Sequence, residues 1–199
     1  PMNAVLTILA LLSCAIIILV VPSQVAPYVA EYGVVTAGDT AKAVLLCGSL
    51  ALVAGLFSYR QGVNGPFLLK VFIAALVTRM ILGTIIFVFH GQSFFGGDAI
   101  TYDTVGYFQL RAWGGERYYK SLITLFVDEG TGSGWGMVYL VAAIYGLIGR
   151  NMLAVQFVMS VLGAATAPII FLCAQQVFNN SRVSKLAAIA VAFYPSLVL

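Results

Sequence analysis

Apolar runs separated by short polar segments dominate this chain of 199 residues. A helical run of about 20 apolar residues matches the roughly 30 Å hydrocarbon core of a bilayer. The pattern therefore predicts an all-α polytopic integral membrane protein with about six transmembrane helices. The predicted spans are 4–21, 41–57, 67–89, 136–148, 152–178 and 186–199.

One long polar segment, residues 90–134, interrupts this pattern between the third and fourth predicted spans. Its backbone groups would lack hydrogen-bond partners in lipid, so it must lie outside the hydrocarbon or line a protein cavity. Within it we predict a helix over 99–113, capped by Asp98, and a short amphipathic helix over 118–127 that lies along the interface.

Composition and charge agree with a membrane protein. Hydrophobic residues make up 61% of the chain and charged residues 9%, whereas a soluble domain has about 45 to 50% and about 25%. The net charge of +3 is small and its basic residues are scattered, which does not favour a nucleic-acid partner. The three cysteines lie in apolar runs without metal-ligand spacing and are interpreted as packing residues: Cys14, Cys47 and Cys173.

The charges of the loops predict an orientation. Glu31 and Asp39 mark the first loop as extracytoplasmic, and Arg60 and Lys70 mark the second loop as cytoplasmic. Successive loops alternate between the two sides of the membrane, and this alternation assigns a side to each later polar segment. Only the last loop contradicts the positive-inside rule. The assignments are outside for 90–134, inside for Arg150, and outside for Arg182 and Lys185.

Arg79 lies about midway along the third predicted span. A central arginine costs roughly 2.5 to 3.5 kcal/mol on insertion scales, so its side chain should face a protein interior or an aqueous cavity and have a partner. A role in function, a structural ion pair and a side chain that snorkels to one side of the membrane are all open for this residue.

Acidic residues are rare and clustered. Five of the seven lie in the polar segment: Asp98, Asp103, Glu116, Asp128 and Glu129. On a helix, Asp98 and Tyr102 are aligned, whereas Asp103 lies about 140° around from Asp98, so the two aspartates need not act as one dyad. The alternative interpretation is that Asp98 only caps a helix and that the nearby aromatic residues form an interfacial belt.

Motifs for nucleotides and metals are missing from the sequence. It contains neither a P-loop nor a glycine-rich dinucleotide motif. The single histidine, His90, has no partner at ligand spacing, so no metal-binding residues are predicted.

The order of the elements from the third span onward is informative. An apolar helix with Arg79 leads into Gly97-Asp98-Ala99 and Tyr102-Asp103, and two helices joined at Gly149-Arg150-Asn151 follow. This order resembles the GT-C class of membrane glycosyltransferases, which includes the protein O-mannosyltransferases and the lipid A aminoarabinose transferases. The resemblance covers residues 67–199, with 1–66 as two additional helices, and we expect the chain to be the N-terminal part of a longer protein.

The resemblance implies a glycosyltransferase, for hexosyl or pentosyl transfer, in the bacterial inner (plasma) membrane. Its donor would be a polyprenyl-phosphate-linked sugar, and its extracytoplasmic acceptor a lipid, a glycan or a protein. Asp98 best matches the catalytic aspartate, with Asp103 as the second candidate. The implied substrate-binding residues are aromatic side chains for the sugar and cations for the phosphate: Tyr102, Tyr107, Arg79, Arg117, Lys120 and Arg182. No cofactor is implied, and a divalent cation stays open. Asp103 would support the site by orienting the loop, binding the acceptor or holding a cation. Membrane lipids and other membrane subunits are the further partners.

Two other classes of function are open. A transporter or channel would use Arg79 and the helices interrupted at Pro168 and Pro195 as a pathway, but the sequence shows no inverted repeat between its halves. A non-catalytic membrane subunit, or a fragment of a larger complex, is the other alternative.

Overall fold

A computed structural model describes residues 37–88, 98–128 and 135–194. These residues form helices, and no strand occurs among them. The prediction of an all-α protein is confirmed for this part of the chain. The helices are α1 (Ala37–Tyr59), α2 (Gly65–Val88), α3 (Asp98–Trp113), α4 (Arg117–Asp128), α5 (Trp135–Ile148), α6 (Met152–Phe178) and α7 (Ser181–Phe193), with a 3-10 turn at Gly62–Asn64 before α2.

Three of the described helices, α1, α2 and α6, are long and apolar enough to cross a membrane. They coincide with the second, third and fifth predicted spans, and α6 has the predicted bounds. The first predicted span, 4–21, lies outside the described residues. The described part is therefore that of a helical membrane protein with three candidate spans.

Helices α2 and α6 pack against each other in opposite directions. Gln156, near the start of α6, lies against Gly83, near the end of α2. Phe171, in the second half of α6, packs with Leu68 at the start of α2. Gly83 allows this approach, because a Cβ atom there would lie 2.6 Å from Nε2 of Gln156.

Helix α1 runs parallel to α6. The carboxylate carbon of Asp39, in the first turn of α1, lies 2.7 Å from the position that a Cβ atom of Gly149 would take. Further along, the thiol of Cys47 donates a weak hydrogen bond to the carbonyl of Ala154, with 3.8 Å between sulfur and oxygen. The beginnings of α1 and α6 and the end of α2 thus lie at one end of the bundle, which we call the acidic end.

Helices α3, α4 and α5 gather at the acidic end. Gly106 of α3 faces Val141 of α5 so closely that a Cβ atom there would lie 2.6 Å from Cγ1 of the valine. On its other side α3 packs against α4, where the ring of Tyr119 meets those of Tyr107 and Phe108 at centroid distances of 6.2 and 5.4 Å. Helix α3 is therefore held between two neighbouring helices.

The last helix begins earlier than the sequence predicts. The predicted start was residue 186, but α7 begins at Ser181. The reason is the pair of asparagines between α6 and α7. Asn179 ends α6 in the left-handed conformation, with φ of 46°, and the Asn180 side chain accepts hydrogen bonds from the first backbone amides of α7.

The predicted alternation of sides is wrong at Arg150. The sequence placed Arg150 and Asp103 on opposite sides of the membrane, but the two side chains form an ion pair of 2.6 Å. The physical reason is the length of α5. This helix has 14 residues, or about 21 Å, and so is too short to cross a hydrocarbon core of about 30 Å alone.

The sides predicted for Arg182 and Lys185 also differ from their positions in the structure. They were predicted to lie on the opposite side from the loop at residues 58–66, against the positive-inside rule. In the structure the ammonium of Lys185 lies 5.3 Å from the ring centroid of Phe67, near the start of α2. Arg182 and Lys185 therefore lie at the same end as Arg60, opposite the acidic end.

Candidate functional site

A cavity of about 380 Å³ lies at the acidic end, where α2, α3, α5 and α6 meet. Much of its wall is apolar and includes three of the chain's five methionines, Met137, Met152 and Met159. Its polar lining residues come mainly from α3. They are Asp98, Tyr102, Asp103, Tyr145 and Gln156. An apolar cavity with a few converging polar groups is the usual form of a small-molecule site.

Asp103 is held in a buried network at the edge of this cavity. Its side chain is 1% exposed, and Oδ2 accepts a hydrogen bond of 2.6 Å from Nη2 of Arg150. The hydroxyl of Tyr145, on α5, donates to Oδ1 of the same carboxylate. Both carboxylate oxygens are therefore occupied, and Asp103 ties α3 to α5 and to the turn before α6.

Arg150 reaches Asp103 because of the tight turn between α5 and α6. Gly149 ends α5 with φ of 81°, a backbone conformation that residues other than glycine rarely adopt. Asn151 then caps α6, since its side chain accepts from the amide of Ala154 at 3.0 Å. The guanidinium of Arg150 also lies over the ring of Tyr107, at 4.6 Å from its centroid. The turn thus directs one cation onto α3.

Asp98 has different surroundings. It is the first residue of α3, it is exposed, and it lines the cavity. Within the described ranges, no hydrogen bond or ion pair is found for its carboxylate. A negative charge in the first turn of a helix is favourable because the free backbone amides lie there. Asp98 therefore combines a stable position with a carboxylate that faces the cavity.

The remaining predicted residues divide by position. Tyr102 lines the cavity, whereas Tyr107 lies behind it and supports Arg150. Arg117 and Lys120 are exposed on α4, and Arg182 is exposed at the opposite end of the bundle. Of the six predicted substrate-binding residues, the structure brings only Tyr102 to the cavity wall.

Arg79 lies deeper in the bundle, away from the cavity wall. It is 5% exposed, and its Nη1 is 3.0 Å from where a Cβ atom of Gly163 would be. Its Nη2 donates to the carbonyl of Ala192 at 3.3 Å, and Nε has no hydrogen-bond partner among the described residues. Its side chain faces a protein interior, as predicted, but no described carboxylate pairs with it.

Sequence reasoning gave no role to Tyr145, Arg150 and Gln156. Arg150 carried a usable signal, because it is a lone cation in a tight turn between two apolar helices in a chain with few charges. Tyr145 and Gln156 carried none, since one aromatic and one amide on apolar helices do not reveal which face they occupy.

No metal centre is evident in the described residues, where no group of three His, Cys, Asp or Glu side chains comes together. A search of family models, of curated proteins and of solved structures gave no match for this chain. The candidate function therefore rests on the geometry and chemistry of the site.

Proposed function

We propose that the protein is a membrane glycosyltransferase that moves a sugar from a polyprenyl-phosphate donor to a hydroxyl group of an extracytoplasmic acceptor. In this proposal Asp98 is the general base, and Asp103 is a structural residue that holds α3 in place. The observation that carries it is the contrast between the two carboxylates at one cavity. Asp98 is exposed to the cavity, whereas Asp103 is bound by Tyr145 and Arg150.

The chemistry requires few groups. The acceptor oxygen attacks the anomeric carbon, its proton passes to the Asp98 carboxylate, and the bond from the sugar to the phosphate oxygen breaks. The polyprenyl phosphate leaves as a stable anion and needs no acid to protonate it, so one carboxylate suffices. A glycosidase, by contrast, uses two carboxyl groups on either side of the bond.

The proposal keeps the orientation predicted from the first two loops, with Asp39 on the extracytoplasmic side and Arg60 on the cytoplasmic side. Asp39 and Arg60 lie at opposite ends of α1, so the acidic end is extracytoplasmic in this proposal. In this orientation α3 and α4 lie at the outer surface of a plasma membrane, where a lipid-linked donor is accessible.

The test is a transfer assay in native membranes with labelled polyprenyl-phosphate sugars. Asp98→Asn should lower the initial rate of transfer by about a hundred- to ten-thousand-fold, the usual contribution of a general base. Glu116→Gln is the matched control, since Glu116 pairs with Arg111 at 2.7 Å on the surface of the protein. Transfer that is unaffected by Asp98→Asn would refute the role of this carboxylate.

A further inference from the structure

Gln156 is the polar side chain that the long helix α6 contributes to the cavity. The glycine at position 83 leaves room for the amide group of Gln156, because a Cβ atom there would lie 2.6 Å from Nε2. No hydrogen bond of this amide to another described residue is found. An amide in a membrane-spanning helix is costly when its donors and acceptors are unused, so this group is suited to bind a polar ligand in the cavity.

The charges of the cavity restrict that ligand. Among the described lining residues there is no lysine, arginine or histidine. The charge of Asp103 is matched by Arg150, which leaves the Asp98 carboxylate as the charge that a ligand would meet. A phosphate group would be repelled there and would find no cation on the cavity wall. Hydroxyl groups, in contrast, can donate to the Asp98 carboxylate and both donate to and accept from the amide of Gln156.

The apolar part of the wall suits the rest of such a molecule. Met137, Met152 and Met159 have flexible, polarisable side chains that adapt to irregular apolar shapes. They can cover the C–H face of a sugar ring or the first part of an alkyl chain.

We infer that this cavity binds the neutral, polyhydroxylated head of an amphipathic molecule, and that Gln156 is the side chain that selects it by hydrogen bonding. The inference rests on the proposed function, in which the cavity receives the sugar while the donor phosphate binds outside it.

The experiment measures protection of a cysteine placed in the cavity. The protein carrying Met159→Cys is reconstituted in phosphatidylcholine nanodiscs, and its alkylation by N-ethylmaleimide is followed by mass spectrometry. Hexyl β-glucoside is the neutral probe and hexyl phosphate is the anionic probe with the same chain. Cys173, which is exposed and outside the cavity wall, serves as an internal control for general effects on the reagent.

Hexyl β-glucoside should slow the alkylation of the new cysteine but not that of Cys173, and hexyl phosphate should slow neither. Gln156→Leu should raise the half-protecting concentration of the glucoside about three- to tenfold, the usual value of one hydrogen bond. Gly83→Ala should weaken protection as well, because it displaces the amide. Gln175→Leu is the matched control on the same helix, since Gln175 bonds to Ser184 away from the cavity.

The inference would be overturned if hexyl phosphate protected the new cysteine better than hexyl β-glucoside does. It would also be overturned if the glucoside protected the Gln156→Leu variant, with normal thermal unfolding, as well as it protects the protein that retains Gln156. Either result, together with sugar transfer that depends on Asp98, would remove the role of Gln156 and leave the proposed function standing. Protection that depends on Gln156 in a protein without transfer activity would support the binding site and refute the proposed reaction.

Discussion

Two aspartates of α3, Asp98 and Asp103, lie at one cavity in opposite surroundings. Asp103 is buried, and a tyrosine hydroxyl and an arginine occupy its two oxygens. Asp98 is exposed at the start of the helix, and no partner is found for it in the described ranges. The same chemical group can therefore serve two purposes on one helix. Asp103 fixes the position of α3, and Asp98 is accessible to a ligand in the cavity.

The largest effect on stability is expected at the paired aspartate. Asp103→Asn leaves the charge of Arg150 without its counterion and should lower the free energy of unfolding by about 2 to 3 kcal/mol. This is less than the roughly 3 to 5 kcal/mol for fully buried pairs, because the Arg150 side chain is 17% exposed. Thermal and denaturant unfolding in detergent would measure it. Asp98→Asn is the matched control, and an equal loss in both variants would remove the contrast between the two regions.

The contact between α3 and α5 provides the next test. Gly106→Ala places a methyl group 2.6 Å from Val141 and should cost about 1 to 3 kcal/mol of stability, as overpacked cores do. Gly136→Ala is the matched control on α5, because nothing lies within 4 Å of its Cβ position. Unfolding measurements that find the two alanine variants equally stable would contradict the close crossing of α3 and α5.

A smaller effect is expected at the turn that directs Arg150 towards Asp103. Asn151→Ala removes the cap of α6 and should cost about 1 kcal/mol, measured as a shift of Tm in detergent. Asn151→Ser keeps an oxygen that can accept from the amide of Ala154, so it should lose less. If alanine and serine are equivalent at this position, the side chain does not act as a cap.

Apolar runs predicted the helices of the described part well, because a helix long enough to cross a bilayer needs about 20 apolar residues in a row. The same reasoning failed for the fourth predicted span. Helix α5 is apolar, but its 14 residues do not reach across the hydrocarbon, and the sides assigned after it were wrong as a result. An apolar composition shows that a helix can lie in lipid or in a protein interior. Whether the helix also crosses the bilayer depends on its length.

The candidate site was predictable only in part. The polar segment placed Asp98, Tyr102 and Asp103 on one helix, and the structure brings all three to the cavity. The division of roles between the two aspartates depends on Tyr145 and Arg150, which are more than 40 residues away along the chain. Such contacts depend on which helices pack together and at what angle. The hydrophobic pattern of a single sequence does not reveal either.

The most direct measurement compares Asp98→Asn and Asp103→Asn by sugar transfer per folded molecule, with the folded fraction taken from thermal unfolding. Asp98→Asn should fold normally and lose about a hundred- to ten-thousand-fold in transfer rate. Asp103→Asn should lose stability but transfer sugar at nearly the normal rate once the rate is corrected for the folded fraction. Near-normal transfer by Asp98→Asn, with a large loss per folded molecule in Asp103→Asn, would contradict the assignment of the two aspartates.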